Sequence, residues 1–278
     1  MQCSYPRLFN GIKCPCGMCM ACRVNRKRLW THRIILESFC HEENIFLTLT
    51  YDPDHLPSDG CLQPRDVQLF LKRLRKAVSP VRFRYYLAGE YGERNRRPHY
   101  HLCLFGLGIR YEATIQKCWD KGFIHIGTLT DKSAGYVAGY VTKKLTSSEI
   151  GNLTPEFTRM SLKPGIGANA LSLVSKALSE HGITGDVPTV LRHGKRLLPL
   201  GRYLRSKLRD LLGIQHDPEQ VKKEAQEEMR ALFIHTFGLA PYLGLTEGTK
   251  DYALEIHFRN EQQERNLIAK EKLKVRKL

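Results

Sequence analysis

Alternation of apolar and polar positions is clearest in the stretch IFLTLTYD, Ile45 to Asp52. Ile45, Leu47, Leu49 and Tyr51 share one side while Phe46, Thr48 and Thr50 share the other, and the β-branched and aromatic content predicts a strand. The period then changes. Pro64 opens a segment whose apolar residues Val67, Phe70, Leu71, Leu74 and Val78 recur at i, i+3, i+4, i+7 and i+11, which predicts a helix with Lys72, Arg73, Arg75 and Lys76 on its other faces. VRFRYYLAGE (81–90) and HYHLCLFGL (99–107) predict two further strands, joined as a hairpin across a polar turn. A helix around Tyr111 to Asp120, a strand in GFIHIGTLT and a helix from Ser133 to Leu145 complete the series.

The order strand, helix, strand, strand, helix, strand, helix predicts an α+β fold: a split βαβ, ferredoxin-like antiparallel sheet with an appended helix. Helices are expected on one side of the sheet, leaving the other face available for a site. Before this core, Arg23 to Cys40 predicts a basic helix with Trp30, Ile34 and Ile35 at helical spacing. After it come LKPGIGAN, a helix near Ala170 to Glu180, a hairpin around Arg192 to Leu198 and basic helical stretches beyond Gly201. Asn260 to Leu278, almost all charged or amide-bearing, is expected to be a solvated helix or frayed tail. Three regions result: a Cys-rich knuckle with a basic helix (1–44), the core (45–146) and a largely helical basic extension (147–278).

Composition sharpens the picture. In 278 residues, 44 Lys and Arg outnumber 28 Asp and Glu, a net charge of +16 that points to a polyanionic partner. With 42% hydrophobic residues the chain can fill a core, which excludes disorder as its main state. No apolar run approaches the roughly 20 residues of a membrane span, and MQCSYPRLFNGIK has no signal-peptide h-region. A soluble protein of the cytoplasm is expected.

Nine cysteines, four of them between Cys14 and Cys22, suit a metal site in a reducing compartment better than a disulfide framework. Cys16, Cys19 and Cys22 offer three thiolates, and tetrahedral zinc takes four. Cys14 is separated from Cys16 by one proline, too tight for both to chelate comfortably, so Cys3 is the better fourth ligand. Reduced thiols or an iron–sulfur site are the alternatives. Cys40, Cys61, Cys103 and Cys118 read as ordinary scattered residues.

Within the second predicted hairpin strand, His99 and His101 lie on one face, where two imidazoles can address one ion. Two histidines at this spacing are more often surface residues, but Glu90, ending the preceding strand, falls opposite or nearly opposite His99 and on the same face. Two histidines and a carboxylate form a facial set that leaves positions open for substrate oxygens. In AGYVAGYVTKKL, Tyr136 and Tyr140 share a helical face that Lys143 and Lys144 extend, while Ala134, Val137, Val141 and Leu145 form a separate apolar stripe. Aromatics at this spacing commonly pad a core. Beside a metal and an ammonium, however, a phenol is a candidate nucleophile for phosphodiester chemistry. Basic runs around Arg26, Arg73 and Arg96 are either solvated surface or parts of a phosphate-binding track.

FLTLTYDPDHLP, GEYGERNRRPHYHLCLFG and GYVAGYVTKK, in that order, resemble the three motifs of HUH endonucleases, specifically the rolling-circle replication initiators of gokushovirus-type phages of the Microviridae. CGMCMACRVNRKRLW and LKPGIGAN resemble the same branch, so the likeness runs from residue 1 to about residue 210. It implies a ferredoxin- or RRM-like HUH core and a divalent ion, Mg2+ or Mn2+, held by His99 and His101, with Glu90 as the third ligand on geometric grounds. It also implies Tyr136 and Tyr140 as paired nucleophiles and Lys143 or Lys144 as the motif lysine. One tyrosine would cut DNA, keep the 5′ phosphate and release a 3′ hydroxyl primer before religation. Single-stranded and origin DNA, and a host polymerase, are the implied partners. No GxxxxGK[ST] motif occurs, so unwinding would fall to a host helicase. A transposase or relaxase-like nickase predicts one tyrosine and no knuckle, and a non-enzymatic RRM-like binder predicts aromatics where His99 and His101 stand.

Overall fold

The computed structural model describes residues 3–9, 12–92, 95–140, 153–182, 185–215 and 250–275, with Lys223 and Glu227. In chain order these residues form β1 (Arg7–Phe9), β2 (Ile12–Cys14), α1 (Met20–Ser38), β3 (Asn44–Tyr51), α2 (Pro64–Ala77), β4 (Arg84–Tyr91), β5 (Pro98–Phe105) and α3 (Glu112–Cys118). They continue through β6 (Gly122–Thr128), α4 (Asp131–Gly139), β7 (Phe157–Met160), α5 (Leu171–Glu180), β8 (Val190–His193), β9 (Arg196–Pro199), α6 (Gly201–Leu212) and α7 (Lys250–Val275). Two compact units emerge, residues 26–213 and residues 1–25 with 214–278.

The larger unit is α+β, built on a five-stranded sheet of order β6-β3-β5-β4-β7 in which every neighbouring pair is antiparallel. α2 carries the chain from β3 to β4 across the place that β5 fills, and α3 carries it from β5 to β6 on the far side of β3. β3 alternates as predicted: Ile45, Leu47, Leu49 and Tyr51 are buried with Leu87, Tyr100, Leu102 and Leu104. α2 brings Val67, Phe70, Leu71 and Leu74 to this first face, and Ile115, Cys118 and Trp119 from α3 and its end close it. Pro64 sits in the first turn of α2, and Arg75 and Lys76 lie in its last turn, where the helix dipole favours cations.

The second face differs from the expectation of helices on one side only. α1 and α4 cover it, burying Ile34, Ile35, Ala134, Val137 and Ala138 with Tyr86, Ala88, Cys103 and Phe105 of the strands. The physical reason is that β5 is apolar on both faces beyond His101, as a strand covered from both sides must be. α4 approaches α1 through Gly135 and Gly139, one turn apart. A Cβ at Gly139 would lie 3.4 Å from Lys27 Cε, and one at Gly135 3.8 Å from Thr31 Oγ1, so glycine at both allows the helices to approach closely. A capping box starts α4: Thr130 Oγ1 accepts from the Ser133 amide (3.2 Å) and Ser133 Oγ from the Thr130 amide (2.7 Å). Of the predicted stripe, Val141 and Leu145 lie outside the described residues.

β7 is an element the pattern did not predict. It pairs with β4 at Gly89↔Phe157, where a Cβ on residue 89 would stand 2.9 Å from the Phe157 ring, so glycine is what allows the ring to cross the strand. The β8–β9 hairpin forms with the expected pairing, His193↔Arg196 at its turn.

The smaller unit joins both ends of the chain. β1 and β2 pair as a short hairpin, Arg7↔Cys14 to Phe9↔Ile12. Glu264 of α7 accepts from the Met20 amide (2.6 Å) and the Ser4 hydroxyl (3.0 Å), satisfying an orphan donor in the first turn of α1. Leu267, one turn further along α7, packs on the cysteines. The C-terminal stretch is therefore not simply a solvated or frayed tail. Among its charges it carries one carboxylate and one leucine on the face that meets the knuckle. No helix among the described residues is long and apolar enough to cross a membrane.

Candidate functional site

Register decides which side chains meet. β4 and β5 pair Glu90 with His99 and Ala88 with His101, and β3 and β5 pair Thr48 with His101 and Thr50 with His99. Because strand residues alternate, Glu90, His99, His101, Thr48 and Phe46 all belong to the second face, beside α4. The His101 Nε2 lies 2.9 Å from Glu90 Oε1, and its Nδ1 lies 2.9 Å from Thr48 Oγ1. His101 and Glu90 are both buried. His99 donates from Nδ1 to the Arg97 carbonyl oxygen at 2.7 Å, which leaves Nε2 as its lone-pair nitrogen. Burial lowers the His99 pKa, against the opposing effect of that carbonyl. The two imidazoles run parallel, 3° apart in plane and 6.4 Å between centroids.

The donor chemistry fits a divalent ion. Two cis ligands of an octahedral ion, each about 2.1 Å from the metal, stand about 3 Å apart, close to the 2.9 Å between His101 Nε2 and Glu90 Oε1. Each imidazole is oriented through its other nitrogen by an oxygen, as metal-ligating histidines are. His99 stands further off. Among the described residues only the four thiols discussed below form a group of three or more His, Cys, Asp or Glu donors within 4.8 Å of one another.

α4 delivers both tyrosines to this cluster. Tyr136 and Tyr140 have ring centroids 4.9 Å apart; Tyr140 stacks on His101 at 5.2 Å and 4°, and Tyr136 meets the same imidazole edge-on at 5.4 Å. They are not equivalent. Tyr136 is 37% exposed and Tyr140 only 5%. Burial, the nearby Glu90 carboxylate and the Tyr136 hydroxyl push the Tyr140 phenol far above its usual pKa. Lys143 and Lys144 lie outside the described residues. Thr48, which holds His101, and Phe46, stacked on the same imidazole at 5.7 Å and 10°, were not singled out from sequence. The alternation of β3 together with the His101 register carries that signal.

In the smaller unit the sulfurs of Cys3, Cys16, Cys19 and Cys22 all lie within 4.8 Å of one another. Cys3 Sγ is 3.8 Å from Cys19 Sγ, and Cys16 Sγ is 4.0 Å from Cys22 Sγ. Four thiolates at 2.3 Å from a tetrahedral ion would stand about 3.8 Å apart. The amide of Cys16 donates to Cys3 Sγ, and those of Met18 and Cys19 donate to Cys16 Sγ. Burial and adjacent thiols push Cys22 up to about 12, whereas the Cys19 and Met18 amides outweigh burial and bring Cys16 down to about 6. Cys14 ends β2 outside this set, so Cys3 is the fourth member.

Residues 44–145 match the family model of the replication-associated protein ORF2. The chain is 37% identical over 179 residues to the replication-associated protein ORF2 of Spiroplasma virus 4, covering 55% of each chain. It is 39% identical over 153 residues to the replication-associated protein VP4 of Bdellovibrio phage phiMH2K, covering 47% of this chain and 48% of that one. With the replication-associated protein ORF4 of Chlamydia phage 1 the identity is 32% over 152 residues, covering 47% and 38%. The chain thus spans about half the length of the curated relatives it matches, or less. No solved structure matches it. The resemblance to phage replication initiators, drawn above from three ordered motifs, is borne out by these relatives.

Proposed function

We propose that the chain is a metal-dependent, HUH-type endonuclease that nicks single-stranded DNA at a replication origin and starts rolling-circle replication. The observation that carries this reading is the meeting of His101, Glu90, Tyr136 and Tyr140 at one end of the second sheet face, with His99 in the adjoining row. The strand order β6-β3-β5-β4, with α2 and α3 as its crossovers, supports a ferredoxin-like HUH core. Matches to phage replication-associated proteins supply the biological setting.

His99, His101 and Glu90 would hold a divalent ion, Mg2+ or Mn2+, which when bound polarises the scissile phosphate and neutralises developing charge. The exposed Tyr136 is the first nucleophile. Its phenolic oxygen gives up its proton and attacks phosphorus, the bond from phosphorus to the 3′ oxygen breaks, and that oxygen leaves protonated as a 3′ hydroxyl primer. The DNA 5′ end stays on the tyrosine. Tyr140, one turn away, can repeat the step at a regenerated origin, and the new 3′ hydroxyl then displaces the first tyrosine and religates. Lys143 or Lys144 as a cation near the phosphate belongs to the same proposal. Zinc in the Cys3, Cys16, Cys19 and Cys22 set would be structural, and a host helicase and polymerase would act after the nick.

A double variant His99→Ala, His101→Ala tests the metal assignment. Nicking of single-stranded genomic DNA in Mn2+ should fall by several orders of magnitude while DNA binding stays within a few-fold. Nicking that persists at the parental rate would refute the assignment.

A further inference from the structure

We infer that Phe123 is a base-stacking platform that holds a nucleotide flanking the scissile phosphate. This rests on the DNA-nicking reading above and adds to it a second, non-catalytic contact. Across the open end of the second face, register aligns Phe123 of β6 with Thr50 of β3, Thr50 with His99 of β5, and His99 with Glu90 of β4. Phe123 therefore lies in one row with His99 and Glu90, two strands from His99, or about 10 Å at the usual strand spacing.

Its exposure is anomalous for its surroundings. α1 and α4 bury the inner part of this face, and on the opposite face of β6 Ile124 and Ile126 pack into the core. Phe123, by contrast, is 64% exposed, and its neighbour on the same side of β6, His125, is exposed as well. A large aromatic on an edge strand beside a row of polar side chains adds nothing to the core. Leaving it in water costs solubility and invites association.

The occupant follows from charge and chemistry. The same sheet end carries Arg96 and Arg97 in the β4–β5 turn and Lys121 before β6, within a chain of net charge +16. Cations beside a flat, exposed π-face match a single strand, whose phosphates follow the positive rim while a base stacks on the ring. Stacking is tolerant of sequence, so Phe123 would fix where the strand lies more than which bases it carries.

The test measures binding of the full chain to a fluorescein-labelled oligo(dT) by anisotropy, for the parent and for Phe123→Ala, Phe123→Leu and Phe123→Trp. Removing one base–aromatic stack, worth about 1–3 kcal/mol, should weaken binding by roughly 5- to 150-fold in Phe123→Ala. Phe123→Leu keeps apolar area but not the π-face and should lose affinity similarly. Phe123→Trp should bind like the parent, and its added emission should be quenched by the oligonucleotide. The slope of log K against log salt should be the same in all four proteins, because no phosphate contact is removed. Parental affinity in Phe123→Ala or Phe123→Leu, or unquenched emission in bound Phe123→Trp, would overturn the platform while leaving nicking by Tyr136 untouched. A parent that does not bind oligo(dT) would overturn the underlying DNA reading as well.

Discussion

Removing metal from the cysteine knuckle should unfold the N-terminal segment specifically. The perturbation is the double variant Cys19→Ser, Cys22→Ser, which takes two of four sulfurs from a set spaced 3.8 and 4.0 Å across its two measured edges. A tetrahedral zinc site predicts about 3.8 Å, so little rearrangement is needed to load it. The apolar partners of this cluster among the described residues are Ala21 and Leu267. Burying one large aliphatic side chain contributes roughly 1.5–3 kcal/mol, whereas a structural zinc contributes about 10–16 kcal/mol of apparent binding free energy. Metal ligation therefore outweighs apolar burial in holding this segment, and the contacts of Glu264 with Met20 and Ser4 depend on it. Metal analysis of the purified parent should return about one zinc per chain, and the variant close to none. Limited proteolysis should then cut the variant within residues 3–19 far faster than the parent. Zinc at full occupancy in the variant, or unchanged protection of that segment without metal, would refute the reasoning.

Three further outcomes follow from the larger unit. Its own residues make stability acid-sensitive: burial lowers the pKa of His32, within 2.7 Å of His193, to about 4. A depressed base gives stability that is complete above the unfolded value near 6.5 and is lost as pH falls toward 4. Urea unfolding should lose about 2 kcal/mol between pH 7 and 5, and His32→Gln should flatten that loss. Asp186 is held down to about 2, first by its hydrogen bond with Arg209 and then, against some burial, by Arg205. Its contribution exists above pH 3.8 and fades as pH falls through about 2, so Asp186→Asn should cost about 1–2 kcal/mol at pH 7 after allowing for its partial exposure, read by chemical denaturation. Tyr140→Phe should leave a first cut by Tyr136 largely intact, while Tyr136→Phe slows it at least tenfold in single-turnover assays, because Tyr140 is the buried phenol. Equal effects would remove the order assigned to the two nucleophiles.

The parts legible in the sequence are those where periodicity runs without interruption. β3, α2 and the β4–β5 hairpin fall within a few residues of their predicted bounds, and the hairpin register sets Glu90 opposite His99. Cys3 was legible because Pro15 keeps Cys14 and Cys16 from chelating together. The covered second face was not, since α4 meets α1 through Gly135 and Gly139, which leave no hydrophobic mark. β7 was hidden for a similar reason: four residues, FTRM, are too few to show a period, and their partner contact depends on a glycine in another strand. Charge concealed the role of α7, where Glu264 and Leu267 are only two positions in a strongly polar helix. The inequality of Tyr136 and Tyr140 is a matter of burial, which helical spacing alone does not distinguish.

The most direct test of the nickase reading is a search for the covalent intermediate. The full chain is incubated with single-stranded DNA of its own genome, with and without Mn2+, denatured, digested and mapped by mass spectrometry. A denaturant-resistant adduct should form only with the ion, with a 5′-phosphotyrosyl peptide at Tyr136 or Tyr140, and none should form in the Tyr136→Phe, Tyr140→Phe double variant. No adduct in the parent, or an adduct that survives loss of both tyrosines, would contradict the account.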